Sequence, residues 1–159
     1  MKEIKLNRGF SAKVDDEDYD FLNQWKWYAF TNKYTFYAVR QPSRKEGPRK
    51  LIFMHRIIIN TPENLEVDHI DHNGLNNQKI NLRNCTRGQN QKNRINKKVF
   101  SSPYKGVFYD RKYIRSVIYL KHKAIHLGTF KTEESAALAY NKAAIQYHKK
   151  FANLNIIKS

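Results

Sequence analysis

The sequence predicts an α+β fold in which short antiparallel strands lead to a closing unit of one sheet packed on one helix. Three observations predict it. The first sixty residues contain separate runs rich in β-branched and aromatic side chains. Residues 113–121 alternate between two chemical faces, and after Thr132 alanines and tyrosines recur at helical spacing.

Composition bounds what such a chain can do. It has 159 residues, 30 Lys plus Arg against 14 Asp plus Glu, and a formal net charge of +16. The length suits one domain or two small ones. Hydrophobic residues at 40% with 13% aromatic exclude a disordered polycation, because such chains lack the apolar surface that offsets ordering entropy. No apolar stretch approaches the roughly 18 residues of a membrane helix, and MKEIKLNRGF has no apolar signal core, so a cytoplasmic protein without a membrane partner is expected. The single cysteine, Cys85, excludes an internal disulfide and a paired-cysteine zinc site. The excess of base favours a polyanion, since Lys and Arg that neutralise phosphates release condensed counterions.

The elements follow in order. KEIKLNRG, KWYAF, YTFYAVR and KLIFMHRIII read as strands, interrupted by the acidic DDEDYDFLNQ, where Asp15 or Asp16 caps a short helix. PSRKEGPRK is a turn by its two prolines and glycine, and RINKKVFSSP reads as a linker. YKGVFYD, YIRSVIYL and AIHLGTF are three further strands. In the second, Ile114, Ser116, Ile118 and Leu120 alternate with Tyr113, Arg115, Val117, Tyr119 and Lys121, giving one apolar or small face and one aromatic and basic face. Thr132 then opens a helix with Glu134 and Ser135 in its first turns. Ala136, Ala137, Ala139, Tyr140, Ala143, Ala144 and Tyr147 line it, and Lys149 with Lys150 ends it. Between Lys79 and Lys131 lie fourteen bases and one acid, Asp110, which marks a polyanion track.

Chemistry concentrates in residues 66–93, EVDHIDHNGLNNQKINLRNCTRGQNQKN. Asp68, His69, Asp71 and His72 crowd together, and asparagines recur at 73, 76, 77, 81, 84, 90 and 93. Asp and Asn oxygens suit a hard cation such as Mg²⁺, and a histidine beside a ligating aspartate can take a proton from a water that attacks a phosphodiester. Thr86 is placed to cap a following helix that carries Asn90 and Asn93.

This segment resembles the HNH nuclease motif, in the asparagine-bearing branch of phage and intron-encoded homing endonucleases. The resemblance rests on Val67-Asp68-His69-Ile70-Asp71, Asn76-Asn77, Asn81-Leu82-Arg83, Thr86, Asn90 and Asn93, with His55-Arg56 upstream. It implies a ββα-metal fold: two strands and a helix around one divalent metal, Mg²⁺ with Mn²⁺ as the alternative. Asp68 and Asn90 are implied as metal ligands, His69 as general base, Asn81 as the brace of the loop between the strands, and His55 as a residue at the edge of the site. His72 stands where that family commonly has Gly. Buried packing is expected for Cys85.

Residues 104–155 resemble the Apetala/ethylene-response-factor (ERF) DNA-binding domain, through Tyr104-Lys105-Gly106-Val107, Leu127-Gly128-Thr129-Phe130, Ala136-Ala137, Ala139-Tyr140, Ala143-Ala144 and Leu154-Asn155. The resemblance implies a three-stranded sheet in the DNA major groove, with Arg115 in base or phosphate contact, Tyr113, Tyr119 and His126 at the groove, and Lys105, Arg111, Lys112, Lys121 and Lys123 on phosphates. Arg83, within the nuclease motif, and Arg94, just after its Asn93, are added as DNA-binding bases. The implied organisation is a β-rich region over 1–54, the nuclease motif over 55–97, a linker over 98–103 and the DNA-binding domain over 104–159. The function so implied is a metal-dependent DNA endonuclease of the homing type, monomeric or dimeric on double-stranded DNA, with no protein partner implied, in a prokaryotic or phage-infected host. The alternative is a non-catalytic DNA-binding regulator that keeps the nuclease fold as a scaffold.

Overall fold

A computed structural model describes residues 1–43, 45, 47, 50–94, 101–121 and 123–157. Part of the PSRKEGPRK turn and residues 98–100 of the expected linker, Phe100 included, lie outside them. The described residues form a mixed α+β chain with several small sheets and four α-helices. It divides into two compact units, Met1–Asn90 and Gln91–Ser159.

In the first unit, β1 (Lys2–Lys5) and β2 (Ser11–Val14) form an antiparallel hairpin, Ile4 opposite Ala12. Helix α1 (Asp16–Asn23) follows, with Asp16, Glu17 and Asp18 in its first turn, where the backbone N–H groups favour negative charge. Asp15 stands at the N-cap position, but its carboxylate does not close the cap. It accepts instead from Lys79 N at 2.8 Å and Gln78 Nε2 at 3.1 Å, so the expected capping side chain serves a long-range contact.

A three-stranded sheet comes next, in the order β3 (Tyr28–Thr31), β4 (Phe36–Arg40), β5 (Ile52–Phe53). The expected strand over KLIFMHRIII is largely corrected: after two residues of β5 the chain turns into helix α2, Met54–Ile58. An apolar run of this length fits a buried strand or a buried helix equally well by periodicity alone. Here Met54 faces the core with Ile57 and Ile58 packed against it, the helical spacing of three and four. Ile4, Ala12, Val14, Leu22, Trp27, Ala38 and Met54 make that core. Trp27 satisfies its buried indole by donating to Leu22 O at 2.8 Å. Arg56 then donates to the carbonyls of Thr61, Pro62 and Leu65, fixing the turn that delivers the chain to the next strand.

That strand, β6 (Glu66–His69), pairs antiparallel with β7 (Leu82–Cys85), setting Asp68 opposite Arg83 and His69 opposite Leu82. Helix α3 (Arg87–Asn93) follows directly. Thr86 Oγ1 accepts from Gln89 N and Gln89 Oε1 from Thr86 N, a reciprocal capping box that defines where α3 starts.

In the second unit β8 (Val107–Asp110), β9 (Tyr113–Leu120) and β10 (Lys123–Phe130) form an antiparallel sheet with β9 central. Helix α4 (Glu133–His148) packs on all three strands, and the Thr132 side chain accepts from Ser135 N to cap it. Ala136, Ala137, Ala143 and Ala144 are buried, and their small size lets α4 lie close to Val107 and Ile118. Gly106 shows how close: a Cβ there would stand 2.1 Å from the Tyr140 ring, and its φ is +78°. Asn155 ties down the tail. It exchanges hydrogen bonds with the Lys105 backbone and with Asn141 of α4. Among the described residues no helix is long and apolar enough to cross a membrane.

Candidate active site

The site grows from the β6–β7 ribbon. Successive residues of a strand face opposite sides, so Glu66 and Asp68 share one face with their cross-strand partners Cys85 and Arg83. On that face Asp68 is buried and takes a fork of two bonds from Arg83, Nε at 2.7 Å and Nη2 at 2.5 Å. Arg83, expected as a DNA contact, is therefore committed to Asp68. Both nitrogens reach the same oxygen, Oδ2, a charge-assisted pairing to which the planar guanidinium is suited. Asn90, one turn into α3, donates Nδ2 to Glu66 Oε2 at 2.8 Å, which leaves Oδ1 as its remaining donor atom for a ligand.

His69 ends β6 and is buried among rings: the Tyr37 centroid lies 5.8 Å away and the His55 centroid 5.1 Å. Its Nε2 lies 3.5 Å from Oδ1 of the fully buried Asn77. That oxygen can only accept, so the tautomer with the proton on Nε2 is favoured and Nδ1 is the basic nitrogen. Burial holds the imidazole below its ordinary range, against the opposing pull of Asn77 and of the Asp71 and Asp68 carboxylates. A neutral histidine results. His55, on α2, joins the same aromatic group with Phe53 and Tyr37, and burial pushes it down to about 3.

The loop from Ile70 to Asn81 is built by its polar side chains. Asn81 Oδ1 accepts from Asp71 N at 3.0 Å, while its Nδ2 donates to Asp71 Oδ1 at 2.9 Å and Asn76 O at 2.8 Å. Burial pushes the Asp71 carboxyl up, but bonds from Asn76, Asn73 N–H and Asn81 outweigh it and hold it below its ordinary value. His72 has φ +64°, a left-handed conformation that explains why Gly suits this position. Gly74 passes so near β4 that a Cβ would meet Phe36 O at 2.4 Å. The loop is anchored on β2 through Lys13 N to Leu75 O and Asn77 N to Lys13 O, both 2.8 Å. Glu66, Tyr37 and Asp15 are the contributors that sequence reasoning did not single out for the site, and Asn77 entered it only within the Asn76-Asn77 pair of the motif. Only Glu66 carried a local signal, its alternation with Asp68.

Among the described residues no group of three or more His, Cys, Asp or Glu side chains is disposed to hold a metal ion. The donor chemistry of the Asp68 and Asn90 pair still fits a divalent cation of the Mg²⁺ type, which takes oxygen ligands and keeps several waters beside one or two protein carboxylates. Cys85 is buried, its thiol pushed up to about 11 chiefly by burial and then by the Asp68 and Glu66 charges. It is a packed side chain.

In the second unit the outward face of β9 exposes Tyr113 and Tyr119, with His126 exposed on β10. Val117, in the same outward row, is buried. Arg115 pairs with Asp110 at 3.0 Å, the one acid in the basic stretch. Arg111 and Lys112 form the exposed β8–β9 turn, and Lys121 and Lys123 are exposed at the next, so four bases flank the face from its ends. Arg94 is exposed just past α3. Lys105 departs from expectation. Its ammonium donates to Lys92 O at 2.7 Å and Arg94 O at 3.0 Å, and burial lowers it to about 8. It caps backbone carbonyls at the end of α3.

Over 153 residues, 94% of its length, the chain is 34% identical to a viral protein described as an uncharacterized HNH endonuclease, from Acanthamoeba polyphaga mimivirus, and the match covers 77% of that relative. No protein-family profile matches the chain. No solved structure matches it either.

Proposed function

The chain belongs to the HNH endonuclease family, and from that premise we propose that it is a metal-dependent DNA endonuclease of the homing type. One observation carries the reading: His69 is buried at the end of β6, where burial holds it below its ordinary range, while Asp68, the adjacent residue, is paired with Arg83 on the other face of the same ribbon. That difference in surroundings supports a base at His69 and a cation ligand at Asp68.

In this reading Asp68 and Asn90 hold the divalent metal, Mg²⁺ or Mn²⁺, by their oxygens. Once bound, the cation would supply Lewis-acid stabilisation of the charge that develops on the phosphate and the leaving oxygen. His69 accepts the proton of the attacking water at Nδ1, and Asn77 holds the ring that does so. Asn81 keeps the loop in shape, and His55 with Tyr37 walls the histidine from solvent. The second unit acts as an ERF-like DNA-binding domain that retains the duplex. Its support is the aromatic face of Tyr113, Tyr119 and His126 with basic turns at both ends. Arg115 contacts a base or a phosphate there, held by Asp110. One site per chain predicts a nick in one strand.

A plasmid-nicking assay in Mg²⁺ and in EDTA, with wild type and His69→Ala, tests the reading. Nicking that needs Mg²⁺ and disappears in the variant is expected. Equal nicking by both proteins overturns the role of His69, and duplex binding by both without any cutting establishes the regulator instead.

A further inference from the structure

Side-chain amides have two ends of nearly equal size and opposite chemistry, and only the oxygen can ligate a cation. Rotating the Asn90 amide by half a turn would present an NH₂ group to the ligand position and repel the ion. Something must select the orientation. In the ribbon, Glu66 lies two residues before Asp68 on the same face, and both carboxylates act on the same neighbours, Tyr37 and Cys85. Glu66 Oε2 accepts from Asn90 Nδ2 at 2.8 Å. The Thr86–Gln89 capping box meanwhile fixes the backbone from which Asn90 projects.

We propose that Glu66 is the positioning residue of this site, binding the nitrogen end of the Asn90 side chain so that its oxygen end serves the divalent cation beside Asp68. The inference rests on the metal-dependent reading above. Each ligand then has one partner that sets its geometry: Arg83 for Asp68 and Glu66 for Asn90. A carboxylate suits the second task because its oxygens accept the amide hydrogen.

Mn²⁺ binding to the full chain, followed by the electron paramagnetic resonance signal of the free ion, tests this without relying on cleavage. Wild type, Glu66→Ala and Glu66→Gln are compared, and Glu66→Ala is also made on Asn90→Asp. Loss of an outer partner typically weakens metal affinity about 10–100-fold, which is the effect expected for Glu66→Ala. Glu66→Gln still offers an accepting oxygen and stays within about threefold of wild type by the same reasoning. On Asn90→Asp, whose two oxygens are equivalent, Glu66→Ala produces no weakening. The proposal is overturned if Glu66→Gln falls as far as Glu66→Ala, for then charge and not orientation is what matters. It is equally overturned if Glu66→Ala weakens binding on Asn90→Asp, or binds like wild type. Wild type that binds no Mn²⁺ overturns the metal-dependent reading along with it, whereas intact wild-type binding with an unaffected Glu66→Ala overturns the positioning role alone.

Discussion

Acid should destabilise the first unit through one histidine. His55 is buried against Phe53, Tyr37 and His69, and its Nδ1 has no hydrogen-bond partner among the described residues. Burial first, then the charges of His69 and Arg56, push it from its ordinary 6.5 down to about 3. A folded value below the unfolded one means that protonation favours the unfolded chain. The stability is therefore complete above 6.5 and is lost as the pH falls toward 3. Each pH unit inside that window costs about 1.4 kcal/mol, so passing from near pH 7.5 to near pH 5 removes about 2 kcal/mol. His55→Phe keeps a ring in the aromatic group and removes the titration. Urea unfolding followed by tryptophan fluorescence reads the effect directly, because Trp25 and Trp27 are the only tryptophans and both lie in the first unit. His69 titrates in both proteins, so the wild type is expected to lose about 2 kcal/mol more than the variant over this interval. Equal losses in the two proteins would refute the argument.

Two other outcomes follow from single contacts. Gly74→Ala forces a Cβ against the Phe36 carbonyl, and a backbone atom cannot step aside cheaply, so a loss of about 1–3 kcal/mol in the same unfolding assay is expected; an unchanged midpoint contradicts the close approach. Lys112→Ala should lower the salt dependence of duplex binding by about 0.9 in slope, as one phosphate contact does, whereas Lys105→Ala should leave that slope unaltered because its ammonium is occupied by carbonyls. Equal changes in both would return Lys105 to the DNA-binding face.

The parts of this fold that were legible in the sequence are those whose signals are local. β9 alternates over eight residues, and α4 shows a capping threonine with small residues at helical spacing, so neither has a competing interpretation. The crowding of Asp68, His69 and the asparagines marked the functional segment because such polarity is rare in a packed core. What stayed hidden is set by distance along the chain. Asp15 looked like a helix cap because nothing local reveals that residues 78 and 79 arrive to take its carboxylate. Arg83 looked like one more base in a positive stretch until cross-strand register placed it opposite Asp68. Lys105 shows the same limit: charge counts a lysine equally whether it faces solvent or backbone carbonyls. The apolar run at 51–59 failed for another reason, since helix and strand fit such a run equally well by periodicity.

The anchoring of the loop between β6 and β7 on residues 13–15 bears on how portable the proposed catalytic segment is. A ββα cassette cut out near residue 55 would carry Asp68, His69 and Asn90 with it. It would leave behind the Lys13 backbone that holds Leu75 and Asn77, the Asp15 carboxylate that holds Gln78 and Lys79, and the Tyr37 ring beside the histidines. Grafted onto another scaffold, such a fragment would supply the reactive groups without the floor that shapes them. A transplantable piece of this protein has to carry the β1–β2 hairpin, β4 and the whole of α3 along with the ribbon.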